Sequence, residues 1–149
     1  MLTDQFLPDF YSIILNAVKQ ALVDMDLRPH EVILVSGIGQ AAKLPHYLRC
    51  NFFNGLHGRA LPVATAIRIA NSDLPVIVIG GDGDTYGEEG NHFIHALRRD
   101  INMTLITHNN QVFGLTRGQS SPTTERGFVT TVQTHGVFLD PLNPVTLAI

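Results

Sequence analysis

The chain has 149 residues, 44% of them hydrophobic, and a formal net charge of −3. That length suffices for one domain with a sizeable core, and the lack of a basic excess argues against nucleic-acid binding. No segment has the roughly 18 uninterrupted apolar residues of a membrane span and no signal-peptide pattern opens the chain, so we expect a cytoplasmic protein outside the membrane.

The first predicted element is an amphipathic helix over residues 12–25. Ile14, Val18 and Leu22 recur at helical spacing and fall on one face. Apolar runs and further helical periodicity then predict strands over 32–35, 76–79 and 103–107, helices over 60–71 and 91–99, and a loop with one short helix over 110–126.

This alternation predicts an α/β fold, a mostly parallel sheet with helices on both faces, in a single domain over residues 1–149. The all-apolar strands are typical of a sheet covered on both sides. Ligands in such sheets bind beyond the carboxyl ends of the strands, so the residues that follow strands are the first candidates for a site.

Two short motifs follow the two central strands. Gly81-Asp82-Gly83 comes directly after one apolar run, and Asn109-Asn110 comes after the next. A right-handed crossover brings both strand ends to one edge of the sheet. Glycine lets the backbone approach a phosphate, while the Asp82 carboxylate and the Asn110 amide offer the oxygen ligands that Mg²⁺ prefers. The spacing therefore indicates a Mg²⁺-diphosphate site, the alternative being that Asp82 caps the following helix.

Six ordered sequence blocks extend this motif. They are SGIG at 36–39, KLP at 43–45, LHGRALPVAT at 56–65, GGDGD at 80–84, GNHFIHALRRD at 90–100 and NNQVFGLTRGQSSPT at 109–123. Together they resemble the β subunit of 2-oxoacid:ferredoxin oxidoreductases, which has a thiamine diphosphate-binding fold. The resemblance covers the chain from about residue 14 to its end, and it implies oxidative decarboxylation of a 2-oxoacid.

The resemblance also implies roles for individual residues. Asp82, the Asn110 side chain and the Val112 carbonyl would hold Mg²⁺, and Arg117 would pair with a substrate carboxylate. Residues expected beside thiamine diphosphate are Gly37, Ile38, Gly39, His57, Gly58, Gly81, Gly83, Asp84, Gly114, Leu115 and Thr116. Other interpretations stay open: a tight turn for residues 37–39, a solvated surface for residues 57–59, and a merely exposed Arg117.

The chain departs from the family where an iron–sulfur cluster is normally bound. Other residues, around positions 6–10, replace the N-terminal CPGCG block, and Gln40 stands where a cysteine follows SGIG. Cys50 is the only cysteine, which excludes an internal disulfide and an all-cysteine cluster site within one copy. We therefore expect no iron–sulfur cluster in this chain. Glu88 and Glu89 are a further departure, because negative charge close to a diphosphate would oppose its binding.

Three functional hypotheses remain. The first is a β-type subunit, shortened at its C-terminus relative to the family, which binds Mg²⁺ and thiamine diphosphate, oligomerises, and is inactive without an α subunit that supplies the other half of the site. The second is a degenerate, non-catalytic relative that acts as an interaction module. The third is a subunit of a non-oxidative 2-oxoacid decarboxylase, which needs no cluster.

Overall fold

A four-stranded parallel sheet forms the centre of the computed structural model, which describes residues 10–149. Its strands lie in the order β2-β1-β3-β4. Their bounds are β1 Ile33–Ser36, β2 Asn51–Asn54, β3 Val76–Gly81 and β4 Thr104–His108. The replaced cysteine block lies mostly in residues 6–9, outside the described part of the chain.

In the described part of the chain, four α-helices accompany the sheet. They are α1 Phe10–Asp24, α2 Ala60–Ala70, α3 Gly90–Arg98 and α4 Pro144–Ala148. Tighter 3-10 turns occupy Ala41–Tyr47 and Gly114–Thr116, and a wider π-helical turn occupies Gly83–Glu88. Within residues 10–149, none of the helices combines the length and apolar character needed to cross a membrane.

Successive side chains of a strand point to opposite faces of the sheet, and here both faces are covered. Val35 and Val78 pack into a core cluster with residues of α2 and α3. Leu34 and Ile79, their chain neighbours, pack into a second cluster with residues of α1. The predicted parallel sheet with helices on both faces is therefore confirmed.

Two regions differ from the sequence-based prediction. Strand β2 was not predicted, since it is exposed along its whole length at the sheet edge and shows no apolar alternation. The segment over 110–126 is more than a loop with a short helix: strands β5 Val112–Phe113 and β6 Gln119–Ser120 form an antiparallel hairpin around the Gly114–Thr116 turn. Strands of two residues leave too short a pattern to detect.

The strand register brings the predicted motifs together. Ser36, the last residue of β1, pairs with Ile79 of β3, and Gly81 at the end of β3 pairs with His108 at the end of β4. Because all three strands are parallel, the segments that follow them leave from the same edge of the sheet.

Candidate functional site

A pocket of about 340 Å³ opens at the carboxyl edge of the sheet. Its size lies within the range of small-molecule sites. The residues that line it come from the ends of the four parallel strands and the segments after them, the start of α1 and the hairpin: Phe10, Tyr11, Ile38, Gly39, Gln40, Ala41, His57, Gly81, Asp82, Gly83, Asp84, His108, Asn110, Val112, Phe113, Gly114, Leu115 and Thr116.

Asp82 lies at the floor of this pocket with only 1% of its surface exposed. Its Oδ2 accepts hydrogen bonds from the hydroxyls of Ser121 and Thr123. Its Oδ1 accepts none from the residues that the structure describes, so one carboxylate oxygen is available for a cation. The side chain makes no capping hydrogen bond to the turn that follows, and the capping alternative is therefore wrong.

Asn110 and Val112 reach the same pocket through a tight turn. The Asn110 Oδ1 accepts a hydrogen bond from the Val112 N–H at 3.2 Å, and Gln111 between them has a left-handed φ of 61°. An amide oxygen has two lone pairs, so Oδ1 can accept this bond and still coordinate a metal. Asp82, Asn110 and Val112 thus line one pocket, and their carboxylate, amide and backbone carbonyl groups are of the kind that Mg²⁺ prefers. Across residues 10–149, no three His, Cys, Asp or Glu side chains converge on a possible metal position.

Asp84 has a structural role that the sequence did not reveal. Its Oδ1 accepts hydrogen bonds from His57 Nδ1 and the Gly58 N–H, both at 2.9 Å, and its Oδ2 accepts one from the Ile38 N–H at 3.3 Å. The carboxylate is buried and joins the loop after β1 to the loop before α2. His57 and Arg59 are exposed, as the solvated-surface interpretation expects, although His57 also contacts the buried Asp84 carboxylate.

Two glycines make this arrangement possible. A Cβ on Gly37 would lie 1.9 Å from the Asp84 Oδ2, so the loop can approach the carboxylate only without a side chain. Gly58 has a φ of +64°, and a Cβ there would lie 2.4 Å from the Glu88 carbonyl oxygen. Neither glycine lines the pocket, but both affect its shape because both lie against Asp84.

The residues predicted to contact the cofactor fall into two groups, those that line the pocket and those that do not. Ile38, Gly39, His57, Gly81, Gly83, Asp84, Gly114, Leu115 and Thr116 line the pocket, whereas Gly37 and Gly58 do not. Arg117 is exposed, has a left-handed φ of 80° and lies outside the lining. Its predicted pairing with a substrate carboxylate, like the individual cofactor contacts, stays a prediction.

Neither Glu88 nor Glu89, whose negative charge was expected to oppose diphosphate binding, lines the pocket. Glu88 is exposed and lines a separate cavity of about 800 Å³. Glu89 is buried, and its Oε1 accepts a hydrogen bond of 2.6 Å from the Leu61 N–H at the start of α2. Burial raises the pKa of Glu89 to about 7, since it opposes ionisation more strongly than the hydrogen bond from Leu61 favours it. The expectation that both carboxylates lie beside a diphosphate is therefore corrected.

His108 is a pocket residue that sequence reasoning missed. It is 8% exposed, and its Nε2 is buried without a hydrogen-bond partner among the described residues. The rings of Phe10 and Tyr11 lie beside it at centroid distances of 6.4 and 5.9 Å. Burial lowers the pKa of the imidazole, which favours its neutral form. A single histidine before Asn109 carries no pattern that would have marked it.

The fold and the pocket define a class of protein: an α/β cofactor-binding domain whose buried aspartate and following asparagine meet beyond the strand ends. Residues 33–149 match the family described as thiamine pyrophosphate enzyme, C-terminal TPP binding domain, and the chain belongs to this family. The family match supports thiamine diphosphate as the cofactor.

Curated relatives narrow the comparison. The chain is 45% identical over 137 residues to the 2-oxoglutarate oxidoreductase subunit KorB of Mycobacterium tuberculosis, covering 92% of this chain and 37% of that protein. It is 46% identical over 138 residues to the 2-oxoacid:ferredoxin oxidoreductase subunit beta of Saccharolobus solfataricus, covering 91% of this chain and 45% of that subunit. The chain thus spans less than half the length of these two relatives. The predicted resemblance to such β subunits is confirmed.

A solved structure agrees with these relatives. The 2-oxoglutarate:ferredoxin oxidoreductase from Magnetococcus marinus, with 2-oxoglutarate, coenzyme A and succinyl-CoA bound, superposes with a TM-score of 0.88 at 33% sequence identity. The match covers 97% of this chain and 50% of that one.

Proposed function

We propose that this chain holds thiamine diphosphate through Mg²⁺ as part of a 2-oxoacid:ferredoxin oxidoreductase β subunit, and so serves the oxidative decarboxylation of a 2-oxoacid. The observation that carries the proposal is the buried Asp82 carboxylate, whose Oδ1 accepts no hydrogen bond from residues 10–149, in a pocket that Asn110 and Val112 also line. Three oxygens of the chain would bind the metal, and diphosphate oxygens and water would complete its octahedral shell.

The cofactor, when bound, supplies the carbon nucleophile and the electron sink for the loss of CO₂. The chain's own residues bind and orient it. Gly81 and Gly83 line the pocket on either side of Asp82, where the diphosphate would lie, and Ile38 and Gly39 line the part that the aminopyrimidine ring would contact. Leu115 and Thr116 of the hairpin turn would lie towards the 2-oxoacid, with Arg117 as the candidate partner of its carboxylate.

The proposal includes partners. The relatives are named as subunits, which supports an assembly with other subunits. We expect an α subunit to supply the rest of the site, and we expect the assembled protein to be oligomeric and cytoplasmic. The chain has one cysteine, so we propose that it binds no iron–sulfur cluster and that electrons leave through a centre held elsewhere in the assembly.

Calorimetric titration of thiamine diphosphate into the purified chain, with and without Mg²⁺, tests the proposal. We expect binding that needs the metal and is lost in Asp82→Ala. Asp140→Ala is the matched control, because Asp140 is exposed, lies outside the pocket lining and pairs with Arg126. Equal binding with and without Mg²⁺, or by Asp82→Ala, would contradict the metal site, and no binding at all would contradict the proposed function.

Loss of the cluster cysteines favours a second candidate, a non-oxidative 2-oxoacid decarboxylase subunit. Gln40 stands in the pocket wall where the resemblance leads us to expect a cysteine. Such an enzyme would release an aldehyde and CO₂ without an electron acceptor. An assay of aldehyde release by the chain with its α partner, with and without ferredoxin, separates the decarboxylase from the oxidoreductase. Aldehyde release that does not require ferredoxin supports the decarboxylase.

A further inference from the structure

Two buried hydroxyl groups hold the proposed metal ligand from behind. We propose that Ser121 and Thr123 are positioning residues for Asp82, and that Thr123 links Asp82 to the loop that carries Asn109 and Asn110. Because Mg²⁺ binding at Asp82 belongs to the proposed function, this assignment rests on that function. Neither hydroxyl belongs to the set of ligands predicted from the sequence.

The geometry places both hydroxyls on one side of the carboxylate. Ser121 Oγ donates a short hydrogen bond to the Asp82 Oδ2, and Thr123 Oγ1 lies 2.8 Å from the same oxygen. Ser121 and Thr123 are 7% and 5% exposed, so water does not compete for these bonds. Two bonds to one oxygen fix the rotation of the carboxylate and leave Oδ1 as the oxygen that faces a ligand.

Thr123 also contacts the next strand end. Its Oγ1 lies 2.8 Å from the Asn109 Oδ1, and that amide oxygen accepts a second bond from the Gln111 N–H at 3.3 Å. The neighbouring Thr124 hydroxyl donates to the Gln111 carbonyl. The segment that contains these threonines therefore ties the end of β3 to the turn that presents Asn110.

The single hydrogen of the Thr123 hydroxyl explains how this residue can couple the end of β3 to the end of β4. A hydroxyl has one hydrogen, yet Thr123 Oγ1 has two acceptors at 2.8 Å, the Asp82 Oδ2 and the Asn109 Oδ1. Only one of them can be satisfied at a time. A cation on Asp82 withdraws electron density from the carboxylate and weakens Oδ2 as an acceptor. Ser121 then keeps its bond to Oδ2, and the Thr123 hydrogen is released to Asn109, where it stabilises the turn that carries the second proposed metal ligand.

The test measures Mg²⁺ affinity directly. Mg²⁺ is titrated into the purified chain with inorganic diphosphate and, separately, with thiamine diphosphate. The variants are Thr123→Val, which keeps the shape and removes the hydroxyl, Thr123→Ser, which restores it, and Ser121→Ala. Thr130→Val is the matched control, because Thr130 is also buried and hydrogen-bonded, but its partners are Val132 and Gln133.

We expect Thr123→Val to weaken Mg²⁺ binding by about 10- to 100-fold, the usual effect of losing a residue that orients a metal ligand. Thr123→Ser should bind nearly as well as the wild type, and Thr130→Val should not change the affinity. A merely structural role for Thr123 would instead lower stability without Mg²⁺ and leave the affinity of the folded protein unchanged. Thr123→Val with wild-type affinity, or a wild type that binds no Mg²⁺, overturns the inference.

Failure of the positioning role and failure of the proposed function give different results. If Mg²⁺ binds with inorganic diphosphate and depends on Thr123, but thiamine diphosphate does not bind, the positioning role stands and the proposed function fails. If Thr123→Val does not fold, Ser121→Ala carries the test, because unchanged Mg²⁺ affinity in that variant contradicts the positioning role.

Discussion

The buried carboxylate of Asp84 accepts a hydrogen bond from His57 Nδ1 at 2.9 Å, which joins two segments that lie far apart in the sequence. The same carboxylate accepts the Gly58 and Ile38 N–H groups. Three donors converge on this group, and a carboxylate offers two acceptor oxygens for them. The shape of the pocket therefore depends on a residue two positions from Asp82, the proposed metal ligand.

Asp84→Asn should destabilise the fold by about 1 to 3 kcal/mol, because the amide offers one acceptor oxygen and leaves at least one backbone N–H unpaired. The free energy of unfolding in urea measures the loss. Asp140→Asn, at an exposed position, should leave it nearly unchanged. If Asp84→Asn is as stable as the wild type, the three hydrogen bonds do not hold the loops together.

Gly37→Ala should also be destabilising, by roughly 1 to 3 kcal/mol, since its Cβ would lie 1.9 Å from the Asp84 Oδ2 and must displace it. Gly90→Ala is the matched control, because a Cβ there meets nothing within 4 Å at the start of α3. Thermal unfolding of both variants makes the comparison. Equal melting temperatures for the two would contradict the close packing at Gly37.

Glu89 makes stability depend on pH. Its pKa in the folded state is about 7, above the ordinary value of 4.5, so the folded protein holds the proton more tightly than the unfolded chain. The stabilisation is complete below about pH 4.5, falls as the pH rises towards 7, and is absent above that. Glu89→Gln keeps an oxygen for the Leu61 N–H and does not titrate.

Urea unfolding of wild type and Glu89→Gln across this pH range tests the assignment. We expect the variant to gain of the order of 2 kcal/mol relative to the wild type between pH 5 and pH 8. For Glu125→Gln, at an exposed position, the free energy of unfolding should change with pH as it does in the wild type. A pH dependence that survives in Glu89→Gln would assign the titration to another group.

His108→Phe should stabilise the free protein by about 1 kcal/mol, because it removes a buried nitrogen that has no partner among the described residues and keeps a ring beside Phe10 and Tyr11. His135→Phe, at an exposed position, serves as the control. Thermal unfolding measures both. A marked loss of stability in His108→Phe would mean that the imidazole has a hydrogen-bond partner.

The sequence by itself determined the architecture and the location of the candidate site. Strands β1, β3 and β4 and helices α1, α2 and α3 follow from apolar runs and helical spacing, because buried faces need continuous apolar patterns. Gly81-Asp82-Gly83 and Asn110 were recognisable because they follow apolar runs at the spacing of a family motif, and the structure places Gly81, Asp82, Gly83 and Asn110 in the lining of one pocket. The exposed β2 strand and the two-residue strands of the hairpin leave no such pattern.

The tertiary structure alone decided which groups meet behind these ligands. Ser121 and Thr123 reach Asp82 across 39 and 41 residues of sequence, and Asp84 reaches Ile38 across 46 residues and His57 across 27. It also moved Glu89 from an expected diphosphate neighbour to the start of α2. Hydrogen bonds between segments remote in sequence follow from how the strands are ordered and where the loops return, and local pattern carries no record of either.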